Sequence, residues 1–262
     1  MTTLFLSHGS PMQAIDPGEA GRAWVSLAAS LPRPRAVLIA SAHWETVLPM
    51  LTGRETLETI HDFSGFPEPL YRERYDAPGA PAVARRASEL LQTAGYTAAI
   101  NGCRGIDHGA WVPLKWMYPE RDVAVVQISI QTELGPAHHL TVGEALAPLT
   151  DEGVLVIGSG HATHNLRDWS LHRGDGRPLA YVEQFSDWLH KALVSGDREE
   201  LIAYRERAPG AVRAHPTEEH FLPLFVALGA AGPEATARRV HASIMASALA
   251  MDAYLFERSP AR

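Results

Sequence analysis

The chain has 262 residues, of which 46% are hydrophobic and 20% are charged, and its formal net charge is −7. This balance excludes a disordered chain, and the length is sufficient to bury a full hydrophobic core. The acidic net charge argues against a nucleic-acid-binding protein, because such proteins usually carry a basic excess.

Predicted strands and helices alternate along most of the chain. In chain order they are strand Thr3–Ser7, helix Glu19–Ser30, strand Ala36–Ala42, helix Ala80–Ala94, strand Tyr96–Ile100, strand Val123–Ile130, helix Pro136–Leu149, strand Val154–Gly158, helices Tyr181–Leu193, Glu199–Tyr204 and Glu218–Leu228, strand Arg239–Ser243 and helix Ala246–Phe256. The clearest strands are nearly continuous hydrophobic runs, which is typical of strands buried on both faces. The alternation predicts an α/β fold with a largely parallel sheet, in a single domain spanning residues 1–262.

The segment Leu51–Pro78 interrupts this pattern. It is rich in proline, glycine and aromatic residues and is too long for a plain connector, so we interpret it as a functional loop. His61 and Asp62 lie within it and are candidates for a lid or a pocket.

The sequence also bears on the compartment and on partners. The apolar run near the N-terminus, Leu4–Leu6, is too short for a signal peptide, and no stretch approaches the roughly 20 apolar residues of a membrane span. The single cysteine, Cys103, excludes a disulfide within the chain and a thiolate zinc site. We expect a cytoplasmic protein with no membrane or nucleic-acid partner, and a homodimer is possible.

The most unusual feature of the composition is its 13 histidines. His8 and His43 end the first two clear strands, and His161 and His164 follow the strand Val154–Gly158. Ligands of open α/β sheets bind beyond the carboxyl ends of the strands, so these side chains are expected to gather at one edge. Each alone has an ordinary interpretation as a hydrogen-bonded loop residue, but three strands share the pattern.

Two further histidines are candidates. His220 lies near the start of a predicted helix, and its neighbour Glu219 points about 100° away from it on a helix, so only one of the two is expected to face a metal. His108 either orients an aromatic substrate or pairs with Asp107 in a turn. Motifs for phosphate loops, dinucleotide binding, HExxH zinc sites and serine-hydrolase elbows are absent from the sequence.

Seven segments of the chain, read in order, resemble the class III extradiol ring-cleavage dioxygenases and in particular their DOPA 4,5-dioxygenase-like subgroup. The segments are SHGSPM at 7–12, SAHWE at 41–45, HDFSGFPEPLY at 61–71, DHGAWVPLKWMYP at 107–119, VQIS at 126–129, GSGHATHNLR at 158–167 and PTEEHFLPL at 216–224. The resemblance implies a mixed central sheet flanked by helices on both faces, with a non-haem metal at one edge of the sheet.

The resemblance also implies site residues. The metal-site histidines of the subgroup correspond to His8, His43, His164 and His220. Better-known relatives use a glutamate as the third ligand, so either His220 or Glu219 takes that place here, and the subgroup motif favours His220. Three protein ligands on one face leave room on a metal for a catechol and O₂.

The implied reaction is extradiol opening of a catechol by O₂, with Fe(II) as the active metal or Zn(II) as the metal found bound. His164 is the candidate base, or alternatively a fourth ligand, and His108 is the candidate that fixes the ring. The candidate walls for the ring are Trp44, Phe63, Phe66, Tyr71 and Trp111. The candidate groups for binding an acidic substituent are Arg72, Arg74, Arg104 and Arg167. A zinc hydrolase and a non-catalytic binding protein are the competing interpretations.

Overall fold

A computed structural model describes residues 2–172, 174 and 176–258. Its strands are β1 (Thr2–Ser7), β2 (Ala36–Glu45), β3 (Met50–Thr52), β4 (Thr56–Leu57), β5 (Ala77–Pro78), β6 (Ala99–Asn101), β7 (Ala124–Ile130), β8 (Val154–Gly160), β9 (Thr236–His241), β10 (Ile244–Met245), β11 (Leu249–Ala250) and β12 (Ala253–Glu257). Its α-helices are α1 (Gly18–Ser30), α2 (Pro81–Thr93), α3 (His108–Met117), α4 (Gly135–Leu146), α5 (Pro148–Asp151), α6 (Leu166–His172), α7 (Ala180–Ser195), α8 (Arg198–Ile202), α9 (Tyr204–Arg207), α10 (Ala211–Ala214) and α11 (Leu222–Ala231). Short 3₁₀ helices cover Pro11–Ala14, Glu68–Arg72 and Thr132–Leu134.

The main sheet has eight strands in the order β6-β3-β7-β2-β8-β1-β12-β9. The central strands β7, β2, β8 and β1 run parallel, whereas β3 pairs antiparallel with β7 and β12 pairs antiparallel with both β1 and β9. The parallel core follows from the continuous hydrophobic runs, because strands buried on both faces need cover from helices on each side. The predicted α/β class, with a mixed sheet flanked by helices, is confirmed.

Each face of the sheet packs on its own set of helices. On one face, Leu4 and Leu6 of β1 pack with Trp24 of α1 and Trp111 of α3. On the other face, Phe5 of β1 packs with aromatic side chains of α7 and α11. The side chains of successive strand residues point to opposite faces, which is why Phe5 lies in a different cluster from Leu4 and Leu6.

Several predicted elements differ from the structure. The segment Ala246–Phe256 was expected to be a helix, but it contains β11 and β12, and the prediction is wrong. Its last part, AYLFE, is buried at four successive positions between β1 and β9. A short run that is apolar on both faces fits a buried strand and a buried helix equally well, so periodicity does not separate them.

Prolines account for two other differences. The helix expected from Glu218 begins only at Leu222, because Pro223 suits a first turn, where a missing N–H leaves no helical hydrogen bond unmade. The helix expected over Pro136–Leu149 is divided into α4 and α5, with Pro148 at the start of the second part. The weaker strands at Tyr96–Ile100 and Arg239–Ser243 are present with shifted bounds, as β6 and β9.

Two glycines of β8 let the segment around His220 lie directly against the sheet. A Cβ atom at Gly158 would lie 2.0 Å from the carbonyl oxygen of Pro223, and one at Gly160 would lie 2.0 Å from the carbonyl oxygen of His220. Both contacts are with backbone, which cannot move aside as the end of a flexible side chain can. The close approach therefore determines where α11 and the residues before it lie.

Replacing Gly158 with Ala should destabilise the protein by roughly 1–3 kcal/mol, the usual effect of overpacking a core. The reason is that α11 must move away from β8 to admit the methyl group. Urea unfolding followed by circular dichroism measures the change. Gly102→Ala is the matched control, because a Cβ there meets nothing within 4 Å. Equal unfolding midpoints for the two variants would contradict this account of the packing.

Candidate metal centre and cavity

Three adjacent parallel strands carry histidines to one edge of the sheet. His8 directly follows β1, His43 lies near the end of β2, and His161 directly follows β8, which is paired with both of the others. The turn before α11 brings His220 to the same edge, where its carbonyl oxygen accepts a hydrogen bond of 2.7 Å from the backbone N–H of His161. The expected gathering of histidines is therefore present in the structure.

Three of these rings point the same nitrogen at one another. Nε2 of His43 lies 3.1 Å from Nε2 of His8 and 3.3 Å from Nε2 of His220. The rings are tilted or perpendicular to one another rather than stacked, so the three nitrogen atoms converge on one small volume.

The opposite nitrogen of each ring faces an oxygen acceptor. Nδ1 of His220 lies 2.9 Å from Oε1 of Glu219, and Nδ1 of His43 lies 3.5 Å from Oδ2 of Asp62. Nδ1 of His8 lies 3.1 Å from the hydroxyl of Ser159, which gives its own proton to the carbonyl of Gly109 and therefore accepts from the ring. These partners favour a proton on Nδ1 of each ring and therefore a lone pair at Nε2.

This arrangement fits a bound divalent metal ion. Three convergent lone pairs repel one another unless a cation lies between them. Donor atoms that share an ion at a bond length of about 2.1 Å lie about 3.0 to 3.4 Å apart for octahedral to tetrahedral angles. The observed spacings of 3.1 and 3.3 Å fall in that range. Nδ1 partners of this kind are the usual second layer of a histidine metal site.

Electrostatics keep the three rings neutral. Burial, followed by the charge of neighbouring histidines, lowers the pKa values of His8 and His220 well below the usual range. Burial and then His108 lower the pKa of His43 to about 4. Since neutral imidazole is the form that binds metals, the site is ready for an ion at neutral pH.

Glu219 lies behind His220 rather than beside the other two rings. Its Oε1 is held by Nδ1 of His220 and by the hydroxyl of Thr217 at 3.0 Å. The structure therefore brings His220, and not Glu219, to the point where His8 and His43 converge.

His164 and His161 flank this cluster in different ways. The ring of His164 stacks on that of His220 with centroids 3.4 Å apart and planes 11° from parallel, and burial followed by neighbouring histidines lowers its pKa to about 2. Nε2 of His161 accepts a hydrogen bond of 3.0 Å from the backbone N–H of Gly9. Burial lowers the pKa of His161 to about 3. His161 thus supports the loop that follows His8.

His108 is the first residue of α3 and pairs with Asp62, not with its neighbour Asp107. Oδ1 of Asp62 accepts from the backbone N–H of His108 and Oδ2 accepts from its Nδ1, both at 2.8 Å. Burial by itself would raise the pKa of the Asp62 carboxyl, but the hydrogen bonds from His108 and the charges of His108 and His43 together outweigh it, and the pKa is lowered. The turn in which His108 pairs with Asp107 is therefore not formed.

Asp107 instead anchors the end of β2. Its carboxylate is fully buried and accepts from Ser41 at 2.6 Å, from Arg104 at 3.1 Å and from Gln127. The Ser41 hydroxyl in turn accepts from the backbone N–H of His43 at 3.2 Å. This buried ion pair holds the backbone from which the His43 ring projects.

A cavity of about 320 Å³ opens beside the histidines. It is lined by His8, Gly9, Ser10, Pro11, His43, Asp62, Phe63, Phe66, His108, His161, His164, Leu166, Trp169, His220 and Leu249. Of the five aromatic residues expected to wall a ring, Phe63 and Phe66 line the cavity and the other three do not. Trp111 is buried and donates to the carbonyl of Ile60. Leu166, Trp169 and Leu249 take part in the wall without having been predicted.

The arginines expected to bind an acidic substituent lie elsewhere. Arg72 pairs with the exposed Glu68, Arg74 pairs with the half-buried Asp76, and Arg104 pairs with Asp107. Arg167 is exposed on α6, next to the lining residue Leu166. Among the described residues, none that lines the cavity is a lysine or an arginine.

Comparison with known proteins agrees with the sequence motifs. A family described as the catalytic LigB subunit of aromatic ring-opening dioxygenase matches residues 2–253. The chain belongs to the LigB family. It is 44% identical to the 4,5-DOPA dioxygenase extradiol of Beta vulgaris over 259 residues, covering 97% of this chain and 96% of that protein. It is 42% identical to the 4,5-DOPA dioxygenase extradiol of Escherichia coli K12, covering 88% and 85% of the two chains.

The solved structures give the same result for the fold. The crystal structure of an uncharacterized protein of Escherichia coli K12 superposes with a TM-score of 0.83 at 35% identity and covers 97% of this chain and 99% of its own. Membership of the LigB family confirms the predicted enzyme class, a ring-opening dioxygenase, over a zinc hydrolase or a binding protein. No helix in the described part of the chain is long and apolar enough to cross a membrane.

The placement of Glu219 behind His220 predicts different effects for the two residues. His220→Ala removes a converging lone pair and should weaken the binding of a divalent metal by more than about 100-fold. Glu219→Gln keeps an acceptor oxygen but removes the negative charge behind Nδ1, and it should weaken metal binding by about 10- to 100-fold, the usual effect of such partners. Competition with a chelator, with zinc as the probe, measures both affinities.

His241→Ala is the control for these variants, since that ring lies on β9 and pairs with Ser243. It should bind zinc like the unmodified protein. A greater loss in Glu219→Gln than in His220→Ala would reverse the assignment and make Glu219 the ligand.

Proposed function

We propose that this protein is a metal-dependent extradiol dioxygenase that opens the ring of a DOPA-like catechol with O₂, with both oxygen atoms entering a hydroxymuconic semialdehyde product. The observation that carries the proposal is the convergence of three neutral histidine nitrogens at the wall of a cavity lined by aromatic residues. Family membership and relatives named 4,5-DOPA dioxygenase extradiol support the reaction class.

His8, His43 and His220 are the proposed metal ligands. Fe(II) is the proposed metal of the active enzyme, and the same imidazole set also accepts Zn(II). A divalent iron ion held by these residues would bind the catechol oxygens and O₂ and activate them for reaction. Three neutral ligands leave the charge of the ion uncompensated, which favours a catecholate anion over a neutral phenol.

His164 is the proposed base that takes a phenolic proton. Its ring lines the cavity and lies directly over His220, within reach of a ligand bound beside that histidine. The low pKa keeps its lone pair free of a proton before substrate enters, and a catecholate anion nearby would raise the pKa by favouring the protonated ring. The alternative role as a further metal ligand has support from the cluster of donor atoms that His164 forms with Glu219 and His220.

The catechol ring is proposed to lie near His108, between that histidine and the aromatic wall. The Phe63 ring meets the His108 ring edge-on, with centroids 5.7 Å apart, and also packs on Phe66. The cavity volume is in the range typical of small-molecule sites. Arg167 is next to the lining residue Leu166. It is the proposed contact for an acidic substituent of the catechol that extends out of the cavity.

Four further expectations stay predictions. We expect residues 1–262 to act as one catalytic domain, the enzyme to be cytoplasmic, and a homodimer to be possible. Nucleic acid and membranes are not expected to be partners.

Oxygen uptake tests the proposed reaction. The protein is stripped of metal, loaded anaerobically with Fe(II), and mixed with DOPA, 4-methylcatechol or protocatechuate in an oxygen-electrode cell. We expect uptake that depends on iron and is matched by a yellow ring-opened product, with one O₂ consumed per catechol. If protein shown to contain iron takes up no oxygen with any of the three catechols, the proposal is wrong.

His164→Ala tests the proposed base. Turnover should fall by about 10²- to 10⁴-fold, the usual contribution of general base catalysis, because no other group would accept the proton as readily. The dissociation constant for 4-methylcatechol, measured anaerobically on the zinc-loaded protein, should change little. His138→Ala is the control, since its ring pairs with Gln131 away from the cavity. If zinc binding is lost instead, His164 is a ligand and not the base.

A further inference from the structure

Asp62 is the only carboxylate among the described residues that line the cavity, and it contacts two of the histidines there. Its two oxygens both accept hydrogen bonds from His108, one from the backbone N–H and one from Nδ1. The second oxygen also lies 3.5 Å from Nδ1 of His43. These contacts fix both the position and the plane of the carboxylate.

The carboxylate determines which nitrogen of His108 carries the proton. An ionised carboxylate only accepts hydrogen bonds, so Nδ1 must donate, and in the neutral form of the ring Nε2 then carries the lone pair. No hydrogen bond from a described residue reaches Nε2 of His108. His108 lines the cavity, and its side chain is 7% exposed, so that lone pair is available to a group within the cavity.

The loop position of Asp62 connects this pairing to the wall of the cavity. Asp62 precedes Phe63, whose ring packs edge-on against the His108 ring. Two contacts therefore hold the loop to the start of α3. The Asp62 carboxylate accepts from the backbone N–H of His108, and the Phe63 ring packs on the His108 ring. One carboxylate thus orients a metal-site histidine, a cavity histidine and the neighbouring wall residue.

We propose that Asp62 is a positioning residue that makes His108 a hydrogen-bond acceptor toward a hydroxyl group of the bound catechol and also orients His43. The identity of the ligand as a catechol rests on the proposed function, whereas the protonation pattern of His108 does not. Two separate measurements therefore distinguish a failure of this inference from a failure of the proposed function.

Asp62→Asn changes the chemistry with little change in shape. An asparagine has one acceptor oxygen and one donor amide. If the oxygen keeps the bond from the backbone N–H of His108, the amide faces Nδ1 and requires a lone pair there. The proton of His108 then moves to Nε2, and the histidine becomes a donor toward the cavity.

The first measurement is the tautomer of His108 in the metal-free protein, by long-range ¹H–¹⁵N correlation NMR with ¹⁵N-labelled histidine. His108→Gln identifies the signal by its loss. We expect the proton on Nδ1 in the unmodified protein and on Nε2 in Asp62→Asn. A proton on Nε2 in the unmodified protein overturns the inference, even if the variant fails to fold.

The second measurement is the anaerobic affinity of the zinc-loaded protein for 4-methylcatechol, by calorimetry. Asp62→Asn should bind at least about tenfold more weakly, the effect of losing one hydrogen bond to a charged or strongly polar group. It should also bind zinc about 10- to 100-fold more weakly through the lost support of His43. A changed tautomer with unchanged catechol affinity overturns the assigned contact with substrate.

Asp76→Asn is the matched control in the same loop. Asp76 accepts hydrogen bonds from Thr59 and Arg74 and contacts none of the cavity histidines. It should leave the tautomer of His108 and both affinities unchanged. Equal effects of Asp62→Asn and Asp76→Asn would show that loop order, and not the carboxylate at Asp62, controls the site.

Discussion

The mutual repulsion of three imidazole lone pairs is the constraint on which the site depends. Nε2 of His43 faces Nε2 of His8 at 3.1 Å and Nε2 of His220 at 3.3 Å, and burial prevents any of the three rings from relieving the repulsion by taking up a proton. Acceptors behind the rings favour a proton on Nδ1, so rotation of the His8 or His220 ring would break a hydrogen bond. The protein is therefore organised around a position that favours a cation.

The sheet supplies the rigidity that such an arrangement needs. Adjacent parallel strands β2, β8 and β1 bring their ends to one edge, and Gly158 and Gly160 allow the segment around His220 to lie against that edge. The buried carboxylate of Asp107 holds the end of β2, which carries His43, through hydrogen bonds from Arg104 and Ser41. A site built on strand ends keeps its donor atoms in place before the metal binds, which lowers the entropy lost on binding.

Uniform burial was a useful signal for some strands and a misleading one for another. The continuous hydrophobic strands β1, β2, β7 and β8 were predicted with nearly correct bounds, whereas β12 was mistaken for part of a helix. A short segment that is apolar on every side shows neither the helical nor the strand period of hydrophobic residues. In β12, pairing between β1 and β9 makes the segment a strand. The sequence also does not distinguish an aromatic residue of the cavity wall from one of the hydrophobic core. Phe63 lines the cavity, whereas Trp111 lies in the core.

The sequence by itself determined the family and the histidines at the sheet edge, because motif order and strand ends are local properties of the chain. Only the tertiary structure decided which nitrogen each ring presents, that Glu219 supports His220, and that Asp62 pairs with His108. For His8 and His108 those choices depend on partners distant in sequence, Ser159 at 151 residues and Asp62 at 46 residues, whereas Glu219 is the neighbour of His220 and only folding turns its carboxylate toward Nδ1. A hydrogen-bond partner selects a tautomer only after folding has brought the two groups together.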